Sequence, residues 1–379
     1  MARKLGRRKL AVIVLAAAAL SVAAIALGCG PLRRAVRAAR VLGEIAAHEE
    51  DPGAEPVLAE SVEFETPAGP TAGTLFRLAD PLEPRPGLVL CHGAAEDGFR
   101  DRRLVRLARA LARAGFVVLA PDLVELSRLE VEPRSIGRIE GAVLHLMSRI
   151  DLVGDNPVSL AGISFAGSFC ILAASRPPLD GAVGAVLAFG AYHDLEALVR
   201  YWLVAPAPDI EGVYPVASYG RWIVVRNNLD ALAPPGDRAP IRAALTDLLH
   251  GKGAPPAPAD LSAEGAALYA AVKSPGPLPD GVATDVLAAA RPLLAAIDVR
   301  GRIASLRAPL FVLHAAGDEL VPDSHSEAIA AEAEGRVPVR LLVSDAFRHV
   351  TVSSGESRGL FDALPEILFV AAFFREAGI

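Results

Sequence analysis

Pro157-Val158-Ser159-Leu160-Ala161-Gly162-Ile163-Ser164-Phe165-Ala166-Gly167 reads as a buried strand running into a sharp turn that exposes one serine. A residue at the tip of a strand-to-helix turn takes a strained conformation and needs small neighbours, which Gly162, Ala166 and Gly167 supply. A helix is predicted over Phe165 to Ser175. Free N–H groups in its first turn favour negative charge developing beside Ser164.

As a string, G-x-S-x-[GA] carries little weight, since average composition yields a match in roughly one chain in three of this length. Gly355-Glu356-Ser357-Arg358-Gly359 is a more literal match, but no apolar run leads into it to form a strand. Context therefore selects Ser164 over Ser357.

A serine needs a base, an acid to orient that base, and an oxyanion hole. Upstream, the apolar run Gly87-Leu88-Val89-Leu90-Cys91 ends in His92-Gly93-Ala94-Ala95, a strand followed by a small-residue loop. The N–H groups of Ala94 and Phe165 are the candidate oxyanion donors. Downstream, the strand Pro309 to His314 is followed by Ala315-Ala316-Gly317-Asp318, which makes Asp318 the candidate acid, with Glu319 and Asp323 as competitors. The last apolar run, Val337 to Val343, is followed by Ser344-Asp345-Ala346-Phe347-Arg348-His349. His349 is the candidate base: His92 belongs to the oxyanion loop, His314 closes a strand, and His145, His250 and His325 fall in helical or inserted segments.

In these residues the chain resembles the α/β-hydrolases, which use the order nucleophile, acid, histidine. The resemblance runs from about Val57 to the C-terminus. It implies an eight-stranded, mostly parallel sheet with helices on both faces and catalysis at the carboxyl ends of the strands. Some members carry the acid after the sixth strand, where Asp194 stands. The hydrophobic pattern points to the same α/β class independently. After an antiparallel pair, Ser61 to Thr66 and Gly73 to Leu78, come apolar strands at Gly87 to Cys91, Phe116 to Ala120, Pro157 to Ala161, Ala182 to Phe189, Pro309 to His314 and Val337 to Val343. Between most of them lie helical stretches such as Arg102 to Ala114, Ser135 to Arg149 and Ser324 to Glu334, the pattern of a parallel sheet covered on both sides.

The segment from Asp194 to about Ala304 is too long for one crossover helix and reads as a helical cap inserted after the sixth strand. It contains both tryptophans, Trp202 and Trp222, and four of the five tyrosines, Tyr201, Tyr214, Tyr219 and Tyr269. Such rings either wall a pocket or pack the insert onto the body. The alanine- and proline-rich Gly251 to Ala267 is expected to be a mobile part of the cap.

Ahead of the hydrolase region, residues 1–9 form a basic N-terminal region with Arg3, Lys4, Arg7, Arg8 and Lys9. Leu10 to Leu27 is apolar except for Ser21 and long enough to span a bilayer; it reads as an uncleaved anchor or a cleaved export signal, and its length, beyond that of a usual signal, makes 10–28 the expected single-pass transmembrane signal anchor. Ala26-Leu27-Gly28-Cys29 resembles a lipoprotein cleavage box with alanine where leucine is usual. Residues 29–56 read as a juxtamembrane helix, Leu32 to Ala47, lying along anionic headgroups, and a linker from Glu49 to Pro56. The five leading cations favour a cytoplasmic N-terminus and an extracytoplasmic, periplasmic catalytic domain, against Arg33, Arg34, Arg37 and Arg40 on the other flank.

The first forty residues carry nine cations and no acids, leaving 29 basic against 44 acidic residues, a balance of −15. Nucleic acid is therefore not an expected partner. The sequence has no H-E-x-x-H, no Cys-x-x-Cys, no G-x-x-x-x-G-K-[ST] and no strand-linked G-x-G-x-x-G, so no metal and no cofactor is expected. Cys29, Cys91 and Cys170 do not suggest a disulfide framework. The expected function is a serine hydrolase acting on the carboxylic ester of a small-molecule acyl substrate through an acyl-enzyme. A peptidase or amidase, or a hydrolase-like protein that binds without turnover, are the alternatives.

Overall fold

A computed structural model describes residues 29–46, 54–79, 83–205, 216–251, 257–348, 351–352 and 363–379. The expected membrane segment, the linker around residue 50, Tyr214, His349 and Ser357 lie outside these. Among the described residues no helix is long and apolar enough to cross a membrane.

Strands β1 (Val57–Phe64), β2 (Thr71–Leu78), β3 (Gly87–Cys91), β4 (Val117–Pro121), β5 (Val158–Ile163), β6 (Val183–Phe189), β7 (Leu310–Ala315) and β8 (Val339–Ser344) form one sheet. Their order is β1-β2-β4-β3-β5-β6-β7-β8. β2 runs antiparallel to β1 and β4, and the other neighbours are parallel. β3, β4 and β7 are buried at every position, which is why their sequences are apolar runs, interrupted only by His314 in β7. The strand order reverses at β3, which pairs with β4 on one side and β5 on the other. That reversal opens a crevice at the carboxyl ends of β3 and β5.

Helices α1 (Gly30–Ala46), α2 (Arg102–Ala114), α3 (Arg134–Ser148), α4 (Phe165–Ala174), α5 (Leu195–Val204), α6 (Ala217–Asn227), α7 (Pro235–Leu249), α8 (Ala263–Lys273), α9 (Asp280–Ile297), α10 (Ser324–Ala333) and α11 (Leu364–Glu376) cover it. One face of the sheet shares a core with α3, α4, α10 and the cap helices α5 to α9. The other shares a core with α1, α2 and α11, through Leu88, Leu90, Leu111 and Phe373 among others. A bidentate pair of Arg138 with Glu125, at 3.0 Å on each oxygen, ties α3 to the short helical turn Val124–Ser127 that follows β4. The same guanidinium donates to Thr71 Oγ1 at 2.8 Å, which adds the start of β2.

The helix expected after residue 29 forms over Gly30–Ala46, and one face of it packs through Ala38 and Val41 against the core of α2 and α11. Its small and apolar residues on one face favour burial on a neighbouring apolar layer over solvent. Within the alanine- and proline-rich stretch Gly251 to Ala267, residues from Ala263 onward begin α8, and Ser262 caps it by accepting from the Gly265 amide at 3.1 Å.

Candidate active site

Ser164 stands between β5 and α4 with φ 56° and ψ −127°, one of two non-glycine residues with positive φ among those described. Such a conformation costs about 1–3 kcal/mol and persists only when its surroundings impose it. Here the amide of Ser164 donates to the Phe189 carbonyl at 2.7 Å, and the Ser164 carbonyl accepts from the Gly167 amide at 2.8 Å. A Cβ on Gly162 would fall inside contact distance of the Ala166 carbonyl and the Gly167 amide, so the turn closes only over glycine. The pattern that selected Ser164 in the sequence is thus a packing requirement.

Across the crevice, a Cβ on Gly93 would lie 3.1 Å from both the Ile163 carbonyl oxygen and Ser164 Cβ. The loop after β3 therefore runs its backbone directly against the turn. His92 holds it there. The Leu123 amide donates to His92 Nε2 at 3.0 Å, so Nδ1 carries the proton and donates to the Gly93 carbonyl at 2.8 Å. Burial pushes the His92 pKa down, consistent with an uncharged ring. Ala94 follows in this loop, its carbonyl accepting from Tyr219 Oη of the cap at 3.3 Å. Phe165 is the first residue of α4, where the amide has no intrahelical acceptor.

Asp318 follows β7 and is 7 % exposed. Its Oδ1 accepts from the amides of Leu320 and Val321 at 2.8 and 3.0 Å. Its Oδ2 lies 3.5 Å from Nε2 of the fully buried His314, which also meets the Val321 carbonyl at 2.8 Å and, through Nδ1, Ser326 Oγ at 2.5 Å. The acid loop is further held from the cap: Tyr201 Oη donates to the Glu319 carbonyl at 2.8 Å and Trp202 Nε1 to the Leu320 carbonyl at 2.6 Å. Sequence reasoning gave His314 only the role of closing a strand; a histidine inside an apolar run was the available signal of a buried polar partner nearby.

Asp194, the competing acid, caps α5 by accepting from the Ala197 amide at 2.9 Å and pairs with Arg300 at 2.8 Å. Asp323 accepts from the Gly317 amide at 3.1 Å. Ser164 and Asp318 lie at the same edge of the sheet, after strands β5 and β7, which are separated only by β6. At about 4.8 Å per strand, that is a lateral spacing of about 10 Å. His349 falls outside the described residues. The backbone on either side of it is paired, Phe347–Arg348 with Thr351–Val352, and the Phe347 ring meets Phe189 edge-on at 5.1 Å.

A cavity of about 730 Å³ opens at Ser164. On one side it is walled by the cap residues Trp202, Tyr219, Trp222 and Ile223. On the other it extends between the sheet and helices α1, α2 and α11. Among the aromatics expected to wall a pocket, Trp202, Trp222 and Tyr219 do so, whereas Tyr269 is buried in the cap core. Among the described residues no cluster of His, Cys, Asp or Glu could hold a metal ion.

The sheet is eight-stranded and mostly parallel, a strained serine stands at the carboxyl end of β5, and a helical cap is inserted after β6. The architecture fits the α/β-hydrolase fold. Neither a family model nor a curated protein matches the chain. Among solved structures it is similar to the Pyrococcus furiosus esterase Pf2001, at 14% identity over 87% of this chain and 96% of that one, with a TM-score of 0.49. It is similar also to Est1E from Butyrivibrio proteoclasticus, at 15% identity over 84% and 98%, TM-score 0.49. The Pyrococcus horikoshii acylaminoacyl peptidase matches at 12% identity and a TM-score of 0.47, over 86% of this chain. The match spans only 41% of the peptidase's own length.

Proposed function

We propose that the protein is a serine hydrolase that cleaves carboxylic esters through an acyl-enzyme, with Ser164 as nucleophile, His349 as base and Asp318 as the acid that orients it. The observation that carries this proposal is the strained backbone of Ser164 at the mouth of the cavity. His349 takes the Ser164 proton as the hydroxyl attacks the acyl carbon, and Asp318 stabilises the imidazolium that forms. The amides of Ala94 and Phe165 receive the oxyanion, each donor contributing about 3 kcal/mol in sites of this kind. His349 then returns the proton to the leaving alcohol and activates the water that releases the acid. Asp194 is engaged as a helix cap and with Arg300, which favours Asp318 for the acid.

The chain is further proposed to be held to a membrane by residues 10–28, with the catalytic domain on the extracytoplasmic side. Supporting this is the outer face of α1, where Leu32 and Val36 are exposed beside Arg33 and Arg40, a combination suited to an interface of acyl chains and anionic headgroups. The hydrolase proposal is tested by treating the full-length protein with a fluorophosphonate and mapping the adduct. Labelling at Ser164, with loss of ester turnover in Ser164→Ala and retention in Ser357→Ala, is the expected result. A fully active Ser164→Ala protein would exclude it.

A further inference from the structure

The cap accounts for one side of the cavity at Ser164. The other side goes deeper than a small ester requires. β6 is an interior strand with helices on both faces, and its residues Ala185, Val186 and Ala188 are completely buried, yet Leu187 and Phe189 between and beyond them are not. Those two side chains point to the α1–α2–α11 face. They border the cavity, with Ala161 on the adjacent β5, Leu90 on β3 beyond it and Leu107 on α2. The charged side chains on the lining, Asp101, Arg103 and Arg106, all lie at the start of α2 beside the catalytic edge.

Helix α1 marks how far the cavity extends. Its Glu44 pairs with Arg113 at 2.5 Å, and its Arg34 donates to the carbonyl of Ile379 at 3.3 Å. Arg113 ends α2 just before β4 begins, so α1 lies at the sheet edge opposite Ser164. Val41, Leu42 and Ile45 of this helix nevertheless line the same cavity as Ser164. The cavity therefore runs from Ser164 down to Leu88, which pairs with Ser159, a depth of about 16 Å for five residues at about 3.3 Å each. That matches one leaflet of a bilayer core, about 15 Å. At the roughly 30 Å³ occupied by a water, and about as much by a methylene, its volume holds on the order of twenty heavy atoms.

We propose that the sheet-side arm is a tunnel for a long, unbranched acyl chain, and that α1 is the specificity element that sets the chain length accepted. This rests on the hydrolase proposal for the chemistry at Ser164, but the tunnel itself binds a free fatty acid without turnover. The test uses full-length protein in detergent. Wild type, Leu107→Trp, Leu42→Trp and Leu42→Ala are assayed on p-nitrophenyl esters from acetate to palmitate, and binding of a fluorescent polyene fatty acid is titrated with Ser164→Ala alone and combined with each. In the wild type, kcat/KM rises about two- to fourfold per added methylene beyond butyrate. The tryptophan variants lower the palmitate-to-butyrate ratio and weaken polyene binding at least tenfold, while Leu42→Ala raises that ratio. If the tryptophan variants do not fold, the wild-type profile and Leu42→Ala decide. Short esters cleaved with no gain beyond butyrate and no polyene binding would overturn the tunnel and leave the hydrolase standing. Saturable polyene binding sensitive to residues 42 and 107, without cleavage of any ester, would support the tunnel and remove the hydrolase proposal.

Discussion

The amide of Ser164 donates to the carbonyl of Phe189 at 2.7 Å, so the residue at the strained turn is fixed by the last residue of the adjacent strand. The ring of the same Phe189 takes the edge of Phe347 at an interplanar angle of 68°. Phe189 thus links the serine turn to the segment two residues before His349.

Removing that ring contact separates the two. Phe347→Ala is expected to cost about 3 kcal/mol of stability, from lost burial and the aromatic pair together. It should also lower kcat on a short ester at least tenfold, while Phe347→Leu retains most of both. An Ala variant with unchanged kcat would mean that this packing has no part in placing the segment.

Backbone strain at Ser164 is measurable apart from chemistry. Ser164→Gly and Ser164→Ala both lose the hydroxyl, but only glycine adopts φ 56° and ψ −127° without a steric penalty. Urea denaturation should find the Gly variant more stable than the Ala variant by about 1 kcal/mol, the relief of strain less the added flexibility of the unfolded chain. Gly162→Ala acts oppositely, costing about 2–3 kcal/mol by overpacking the turn. Equal stability of Ser164→Gly and Ser164→Ala would show that the turn is unstrained.

The Glu125–Arg138 pair should behave as a buried pair. Burial alone would raise the Glu125 pKa, but the hydrogen bonds and charge of Arg138 together with Ser135 hold it below the ordinary carboxylate range. Arg138→Met leaves Glu125 buried beside Ser135 without its cation and is expected to cost about 3–5 kcal/mol. Adding Glu125→Leu should restore most of that stability. A single variant within 1 kcal/mol of wild type in a denaturant titration would contradict the assignment.

Acid should weaken the fold before its carboxylates titrate. His92 Nε2 accepts the Leu123 amide, and His325 Nδ1 accepts the amides of His193 and Asp194 at 3.3 and 3.4 Å. Burial pushes both rings down, His325 to about 4 from 6.5. The unfolded chain then takes up protons near pH 6.5 that the native state refuses, so stability falls as pH drops from about 6.5 toward 4 and is level above. Tm recorded from pH 7.5 to 4.5 should follow this, with a shallower slope in His325→Gln. A Tm that rises on acidification would refute it.

The sequence by itself determined the periodic parts of the molecule. Apolar runs at Gly87–Cys91 and Leu310–Ala315, the second interrupted only by His314, alternating with amphipathic helices such as Arg102–Ala114, are legible because strand burial and helix faces are properties of consecutive residues. The same holds for the turn at Ser164, whose requirement for Gly162 is local. Strand ends shifted by a residue or two, as at Val339–Ser344, and by four at the start of β1, Val57 against the expected Ser61, because the ladder with the neighbouring strand rather than local preference ends a strand. Tertiary structure alone decided what depends on residues distant in the chain. His314 became the brace of Asp318, Tyr201 and Trp202 became clamps on the loop that carries it, and Asp194 was drawn to Arg300. That helix α1 also walls the cavity follows from where its Ala38 and Val41 are buried, against α2 and α11, while Leu32 and Val36 stay exposed. Local sequence encodes which face of an element is apolar; only the packed fold encodes what that face meets.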